Sequence, residues 1–301
     1  MKEIVQCVPN ISEGRNREIV EAVVDSIRGI PDVKLLDWSS DADHNRSVIT
    51  FVGTPDGVEK AAFALCSKAA QLIDMTVHSG EHPRMGATDV VPFIPIQGVT
   101  MEQAVQLANR VGKRIGEELG IPVYLYENAA KTPARRNLAD VRRGQYEGLQ
   151  AKLARADGQP DYGPAVFNAK SGATAVGARM PLVAFNVNLG TDNLEIANKI
   201  ARNVRHASGG LKAVKAMGVN LEARGIVQVS MNMVNYKETP LYRVFELIRT
   251  EARRYGVSII GSEIIGLVPL EAMVHSLDYY LGLEGFQINQ VLETRLWTDE
   301  E

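Results

Sequence analysis

The sequence has few cysteines and no large excess of either charge. Cys7 and Cys66 are the only two cysteines in 301 residues, too few for a disulfide framework, which predicts a reducing compartment. The 33 basic and 36 acidic residues give a net charge of −3, which argues against a non-specific nucleic-acid binder. No run approaches the ~20 apolar residues of a transmembrane helix. The N-terminus also lacks the apolar core of a signal peptide. We therefore expect a cytoplasmic protein without membrane or nucleic-acid partners.

The common nucleotide and hydrolase motifs are absent as well. The sequence contains no G-x-x-x-x-G-K-[ST] loop, no G-x-G-x-x-G that opens a helix after a strand, and no G-x-S-x-G elbow. ATP and dinucleotide chemistry therefore lose most of their support. The composition, with 45% hydrophobic and 23% charged residues, is ordinary for a globular protein. The length predicts about two domains.

Strand and helix patterns occur twice in the same order. From residue 4 to about residue 94, and again from residue 182 to residue 265, the hydrophobic periodicity predicts β-α-β-β-α-β. The second helix of each half opens on Thr-Pro, at Thr54-Pro55 and Thr239-Pro240, where Thr suits a cap and Pro suits the first turn. The repeat predicts an α/β (α+β) fold of two ferredoxin-like βαββαβ subdomains, with a substrate cleft between them.

The sequence between the two halves predicts secondary structure less clearly. Thr100 to Leu119 predicts an amphipathic helix with a capping box, and Pro122 to Tyr126 predicts a strand. From Asn128 to Arg179 the periodicity weakens while Gly, Pro and charge increase, which is typical of a long connection. We place the domain boundary at its end, giving subdomains of residues 1–178 and 179–301.

The first half is longer than the second between matching prolines. Its excess of about eight residues falls around His78 to Gly86. An added loop on a repeated scaffold is a natural place for function, although a tolerated surface insertion is the alternative.

This loop contains an H-x-x-E-H pattern, formed by His78, Glu81 and His82. The zinc motif of this form requires a helix, so that both imidazoles share one face. Gly80 lies inside the pattern and Pro83 follows it, and both residue types destabilise a continuous helix. We therefore expect no metal here.

Acid–base chemistry is the remaining prediction for the loop histidines. The unperturbed pKa of histidine, about 6.5, allows proton exchange near neutrality. His82 lies between Glu81 and Arg84, which can tune or orient it, while His78 is the rival base. A hydrogen-bonded loop histidine without a catalytic role is the alternative for either. The other three histidines have no comparable setting and are assigned to surface or packing; they are His44, His206 and His275.

Two predicted strands of the second half carry amides on one face. By the two-residue period of a strand, these side chains point to the side opposite the apolar ones. Two interpretations remain open: a solvated face, or the wall of a polar cleft that binds an amide- or carboxylate-bearing ligand. The residues of this face are Ala184, Asn186, Asn188, Gln228, Ser230 and Asn232.

Two arginine pairs, Arg135-Arg136 and Arg142-Arg143, occur in the long connection. The simplest interpretation is a solvated face, and the alternative is a contact with an anionic substrate. Cys7 and Cys66 each lie in an apolar segment, so we expect both thiols to be buried and inert.

Several longer motifs occur in one register along the chain. They are Cys7-Val-Pro-Asn-Ile-Ser-Glu-Gly14, Gly80-Glu-His-Pro-Arg-Met-Gly86, Val91 to Pro95, Pro122-Val-Tyr-Leu-Tyr126, Asp161-Tyr-Gly-Pro164, Ser171-Gly-Ala-Thr174, Gly177-Ala-Arg179 and Ala184-Phe-Asn186. Together they resemble the glutamate formimidoyltransferase family, the formiminotransferase module of formimidoyltransferase-cyclodeaminases. The resemblance runs from near Met1 to about Pro269. Since the chain ends at Glu301, it looks like a stand-alone transferase without the cyclodeaminase module.

The resemblance implies transfer of a formimino group from N-formimidoyl-L-glutamate to tetrahydrofolate, a step of histidine degradation. It implies tetrahydrofolate as co-substrate, no metal and a homodimer. The catalytic histidine of the family falls on His82, whereas the family's aspartate in the 37–43 region has no unique match among Asp37, Asp41 and Asp43. The folate-contacting stretch of the family falls on Gly163, Pro164, Ala165, Val166, Phe167, Asn168, Ala169, Lys170, Ser171 and Gly172.

Further substrate contacts are expected at five residues. Arg84 and Arg179 are candidates for bidentate contacts with glutamate carboxylates. The remaining three are Glu81, Asn186 and Asn188. Other readings stay open: a formyl donor, another formimino-amino acid, or a non-catalytic folate-binding module. RNA binding has less support, because the predicted open strand faces carry amides and serine where stacking aromatics are needed.

Overall fold

The computed structural model describes residues 3–297 and divides the chain into two compact units. The first unit ends at Arg179 and the second begins at Met180. Each unit contains one β-sheet with helices packed against it, so the predicted mixed α/β class is confirmed.

The first unit forms a seven-stranded sheet. Its strands and α-helices are β1 (Ile4–Cys7), β2 (Asn10–Ile11), α1 (Arg17–Asp25), β3 (Val33–Asp41), β4 (Arg46–Gly53), α2 (Pro55–Leu72), β5 (Thr88–Gln97), α3 (Met101–Leu119), β6 (Val123–Glu127), α4 (Leu138–Val141), α5 (Leu149–Leu153) and β7 (Thr174–Ala178). The short strands β1 and β2 both lie between β4 and β5, and β3 pairs with the outer side of β4. On the other side of β5, β7 and then β6 continue the sheet in parallel.

Local capping signals begin two helices of the first unit where the sequence predicts, but the predicted Thr239 cap of the second half is wrong. The Thr239 hydroxyl donates to the carbonyl oxygen of Lys212 at 2.6 Å, and Pro240 occupies the N-cap position. The Thr54 hydroxyl accepts a hydrogen bond from the backbone N–H of Gly57 at the start of α2. Thr100 and Gln103 form the predicted capping box of α3. These bonds satisfy backbone donors that have no partner inside the helix.

The two faces of the first sheet have separate cores. Val123 and Leu125 of β6 pack with α1, α2 and α3, whereas Tyr124 and Tyr126 point to the opposite side, as strand alternation requires. Cys7 and Cys66 are free and buried in the first core, and burial raises the pKa of both thiols. The prediction that both cysteines are buried is confirmed, and their raised pKa disfavours the reactive thiolate.

The stretch from residue 128 to residue 179 is not a simple connection. Its helices α4 and α5 cover the second face of the sheet through Val141, Leu149 and Leu153, and its strand β7 inserts between β5 and β6. The prediction missed β7 because three of its five residues are Ala or Gly, which are depleted in strands, and its sequence is Thr-Ala-Val-Gly-Ala.

The elements of the second unit are β8 (Val183–Leu189), α6 (Leu194–Val204), β9 (Val214–Leu221), β10 (Ile226–Met233), α7 (Leu241–Arg254), β11 (Ile259–Ile265), α8 (Leu270–Leu281) and α9 (Leu292–Trp297). Its strands form a four-stranded antiparallel sheet in the order β11-β8-β10-β9. The Asn193 side chain caps the start of α6 by accepting a hydrogen bond from the backbone N–H of Glu195 at 3.0 Å. No described helix is long and apolar enough to cross a membrane.

Candidate active site

The loop of residues 78–86 leads into β5 and contains no helix. Backbone contacts hold it against neighbouring turns. A Cβ on Gly80 would lie 2.3 Å from the carbonyl oxygen of His44, and a Cβ on Gly86 would lie 2.4 Å from that of Ala173. The absence of side chains at these two positions therefore permits the close approach of the loop to the rest of the unit.

His78 occupies both of its ring nitrogens in this loop. Its Nε2 lies 3.0 Å from the carbonyl oxygen of Asn45, and its Nδ1 accepts a hydrogen bond from Nε of Arg84 at 3.2 Å. Since a carbonyl only accepts and a guanidinium only donates, the ring is neutral and carries its proton on Nε2. Burial also lowers the pKa of His78. A ring without a free lone pair is a poor general base, so the structure disfavours His78 as the rival of His82.

His82 keeps one ring nitrogen available. Its Nδ1 donates to the carbonyl oxygen of Pro83 at 2.7 Å, which places the lone pair on Nε2. Within the described residues, Nε2 has no hydrogen-bond partner. The half-buried His82 therefore presents an oriented, unprotonated nitrogen, as a general base requires.

A buried carboxylate with two arginines lies in the neighbouring strands. Asp89 of β5 is fully buried and accepts from Nη1 of Arg46 at 2.7 Å, from Nη2 of Arg142, and from the backbone N–H of Met85 at 2.9 Å. Arg46, the first residue of β4, also donates to Asn10 of β2 at 3.0 Å. The group of Asp89, Arg46 and Arg142, which we call the Asp89 triad, carries a net charge of +1.

The Asp89 triad explains the electrostatics of His82. Partial burial and the positive charges of Arg46 and Arg142 lower the pKa of His82 to about 4, because each disfavours the imidazolium. Burial alone would raise the pKa of Asp89, but the two guanidiniums outweigh it and keep the carboxyl ionised. His82 is therefore neutral at physiological pH in the free protein.

Arg84 is engaged inside the protein. Its guanidinium makes a bidentate pair with Glu147, at 2.9 and 2.6 Å, and also contacts His78 and Gln145. It is 7% exposed. These contacts argue against the predicted carboxylate contact of Arg84 with substrate and assign it to positioning the loop.

The segment of residues 163–172 lies beside this loop. The backbone N–H of Ala87 donates to Ser171 at 2.9 Å, and Gly86 and Gly172 form an antiparallel bridge. Within the segment, Gly163 to Val166 are exposed, Phe167 contacts the ring of Tyr146 at 5.4 Å, and the Tyr146 hydroxyl donates to Ala169. The structure thus brings the segment that the family resemblance assigns to folate next to the loop that carries His82.

Gly172 offers a direct test of this junction. It has φ +65°, and an added Cβ would lie 2.1 Å from the carbonyl oxygen of Met85. We expect Gly172→Ala to cost about 1–3 kcal/mol for the backbone clash beyond the cost of its left-handed conformation. Gly29→Ala is the matched control, because Gly29 has φ +80° and open space around it. Equal losses in urea unfolding for the two variants would contradict the tight junction.

Two sequence assignments of polar side chains are wrong. Arg135 and Arg142 do not belong to a solvated face. Arg135 pairs at 2.7 Å with Asp161, whose side chain is 5% exposed, and Arg142 pairs with the buried Asp89. Arg136 and Arg143 are exposed as predicted. The partners of the buried pairs lie 26 and 53 residues away in sequence, which no local pattern reveals.

His44 also has a setting that the sequence did not indicate. Its ring lies 6.0 Å from that of His82, centroid to centroid, with an interplanar angle of 62°. Asp41 accepts from its backbone N–H at 2.8 Å and lies 3.0 Å from its Nδ1. In the sequence, only the predicted pair of strands on either side of His44 indicated that His44 lies in a turn.

The remaining predicted contacts divide between the two units. Glu81 is exposed in the loop, and Arg179, at the end of β7, hydrogen-bonds Tyr126. Asn186 and Asn188 lie in the second unit, where Gln228 donates to Asn188 at 2.8 Å and to Glu263 at 2.7 Å. Both asparagines are buried, so the interpretation of this face as solvated is wrong at these positions.

Comparison with known proteins covers nearly the whole chain. Residues 4–179 match the family described as "Formiminotransferase domain, N-terminal subdomain", and residues 184–295 match "Formiminotransferase domain". A glutamate formimidoyltransferase of Streptococcus pyogenes serotype M1 is 54% identical, over 98% of this chain and 99% of that protein. One of Thermoplasma acidophilum is 50% identical, over 97% of each. A formimidoyltransferase-cyclodeaminase of Dictyostelium discoideum is 46% identical, over 98% of this chain and 56% of that protein.

Proposed function

The chain belongs to the formiminotransferase family, and from this membership we propose that it is a glutamate formimidoyltransferase. It transfers the formimino group from N-formimidoyl-L-glutamate to tetrahydrofolate, and it releases 5-formimidoyltetrahydrofolate and L-glutamate, a step of histidine degradation. The observation that carries this proposal is the 50–54% identity, across 97–98% of the chain, to two proteins of that name. The free Nε2 of His82 supplies a chemical group suited to the reaction.

In the proposed reaction, N5 of the folate attacks the formimidoyl carbon and forms a tetrahedral adduct. Nε2 of His82 accepts the proton that N5 loses, while the hydrogen bond from Nδ1 to Pro83 holds the ring in place. The adduct collapses when the C–N bond to glutamate breaks and the leaving nitrogen gains a proton. Holding both substrates together supplies the proximity contribution to rate.

The segment of residues 163–172 is proposed to bind tetrahydrofolate. It offers exposed backbone from Gly163 to Val166, and Ser171 and Gly172 fix its end to the loop that carries His82. Exposed Glu81 and the half-buried Arg179 remain proposed contacts of the glutamate part of the donor. A homodimer and a cytoplasmic location remain predictions of the family resemblance and of the sequence.

A donor panel tests the proposed function. The purified protein is incubated with tetrahydrofolate and N-formimidoyl-L-glutamate, and product formation is followed by absorbance. Parallel reactions contain a formyl donor or a different formimino-amino acid. We expect formiminoglutamate to give the highest kcat/KM. A faster reaction with another donor would change the substrate, and folate binding without turnover of any donor would show a binding module.

The protonation state of His82 gives a second test. Since the pKa of His82 is lowered to about 4, the free protein should hold this ring neutral from pH 8 down to about pH 5. An NMR titration, assigned with a His82→Asn variant, should give a midpoint well below that of an ordinary histidine. Arg142→Gln removes one of the two repelling cations and should raise the midpoint. A wild-type midpoint near 6.5 would contradict the electrostatic role of the Asp89 triad.

A further inference from the structure

We infer that His44, held by Asp41, is a second proton-transferring residue of the active site, and that it protonates the leaving nitrogen of the donor. This inference rests on the proposed function. It concerns the protonation of the leaving glutamate nitrogen, a step that has not been assigned to His82. His82 accepts one proton at N5, whereas the nitrogen of glutamate must gain a proton before it leaves. Both nitrogens are bonded to the same carbon, so a second group that protonates the leaving nitrogen has to lie close to His82.

The geometry places His44 at the required distance. The two imidazole rings are 6.0 Å apart between centroids and meet edge to face. A reacting carbon with a nitrogen on either side can therefore have one ring within hydrogen-bond reach of each nitrogen. His44 and His82 both belong to the first unit, so this pair of histidines needs no residue of the second unit.

Asp41 prepares His44 for this role. One carboxylate oxygen, Oδ1, accepts from the backbone N–H of His44 at 2.8 Å and lies 3.0 Å from Nδ1. The backbone hydrogen bond from His44 is the main cause of the lowered pKa of Asp41, which is therefore ionised near neutrality. A carboxylate in this position fixes a proton on Nδ1 and orients the ring, as in other Asp–His pairs. Within the described residues, Nε2 of His44 has no hydrogen-bond partner.

The turn that carries His44 is held from three sides. Asn45, with φ +47°, accepts from the N–H of Gly14 at 2.9 Å and donates to the carbonyl of Ser79 at 3.0 Å. The Arg15 guanidinium donates to the carbonyl of residue 42 at 2.8 Å, and the N–H of residue 81 donates to that of residue 43 at 3.2 Å. These contacts fix the turn against the His82 loop, so the exposed His44 sits on a rigid support.

The two histidines have opposite charge environments. Arg46 and Arg142 lower the pKa of His82, so its ring is unprotonated in the free protein and its lone pair is available to accept a proton. His44 instead contacts the carboxylate of Asp41, which suits an acid.

In the proposed step, a C–N bond forms at N5 while its proton moves to Nε2 of His82. The C–N bond to glutamate then breaks as the imidazolium form of His44 gives its Nε2 proton to the leaving nitrogen and keeps the proton on Nδ1. One proton returns from His82 to His44 through solvent, and the site is restored.

The experiment compares four variants in the formiminoglutamate assay. His44→Ala should lower kcat by about 10²-fold with little change in either KM. Exogenous imidazole should restore part of that rate, because His44 is exposed and a free imidazole can replace it. His44→Gln cannot carry the proton and should be similarly slow. Asp41→Asn should lose about tenfold, the equivalent of one hydrogen bond to a charged group.

Asp56→Asn is the matched control. It removes an exposed negative charge from the same unit, at the start of α2, beyond the opposite end of β4 from the turn that carries His44. It should retain wild-type kcat. The His44 role would be overturned if His44→Ala and His44→Gln kept wild-type turnover, or if imidazole failed to restore His44→Ala. An inactive wild type would instead overturn the proposed function, and the His44 role with it.

Discussion

Replacing His82 with alanine should lower kcat by about 10²–10⁴-fold, the contribution typical of a general acid–base residue. The expectation rests on the one ring nitrogen that the structure leaves free. Nδ1 of His82 is committed to Pro83, so the substitution removes a single oriented lone pair at Nε2. Folate binding should be largely kept, because the segment proposed to bind folate is fixed to the loop through Ser171 and Gly172.

Stopped assays of turnover, together with tetrahydrofolate titration of the same variant, measure the two effects separately. His78→Gln is the discriminating comparison, since both ring nitrogens of His78 are occupied by Asn45 and Arg84. That variant should lower the unfolding temperature, and it should reduce kcat much less than His82→Ala does. Near-normal turnover of His82→Ala would refute its assignment as the base, and so would a larger loss of kcat in His78→Gln.

The parts of the fold that follow from nearby residues were predictable from the sequence. A capping hydroxyl and its N–H lie within one helical turn, which is why Thr54-Pro55 and Thr100 with Gln103 mark the starts of α2 and α3. The central strands of both units follow a pattern of period two or a buried apolar run. Strand β7 did not follow, because its place between β5 and β6 depends on pairing with distant strands.

In the candidate site, too, the residues marked by a local motif could be predicted, and those that depend on distant contacts could not. His82 lies in an inserted loop, and a family motif marks it. The role of His44 depends on a hairpin that brings it beside a residue 38 positions later, which no spacing rule reveals. Similarly, Arg142 resembles a surface arginine in the sequence, and only the folded structure shows its ion pair with the buried Asp89. Pairs that are far apart in sequence define the electrostatics, and only the folded chain shows them.

Replacing Asp89 with asparagine should destabilise the protein by about 3–5 kcal/mol, the usual cost of breaking a buried ion pair from one side. The substitution keeps the shape of the side chain and removes its charge. Arg46 and Arg142, which are only 10% and 14% exposed, would then lie beside each other without a counter-charge. Since folded proteins are stable by about 5–15 kcal/mol, such a loss is a large share of the total.

Urea unfolding at neutral pH measures this loss, and its pH dependence checks the cause. The pKa of Asp89 is lowered in the folded state, so the wild-type advantage should be complete above about pH 4, the unfolded value. It should shrink as the pH falls through the lower, folded value. Asp140→Asn is the matched control, because its pair with Arg143 is exposed and such pairs contribute about 0–1 kcal/mol. If Asp89→Asn cost no more than Asp140→Asn, the buried triad would not be what holds β4, β5 and α4 together around His82.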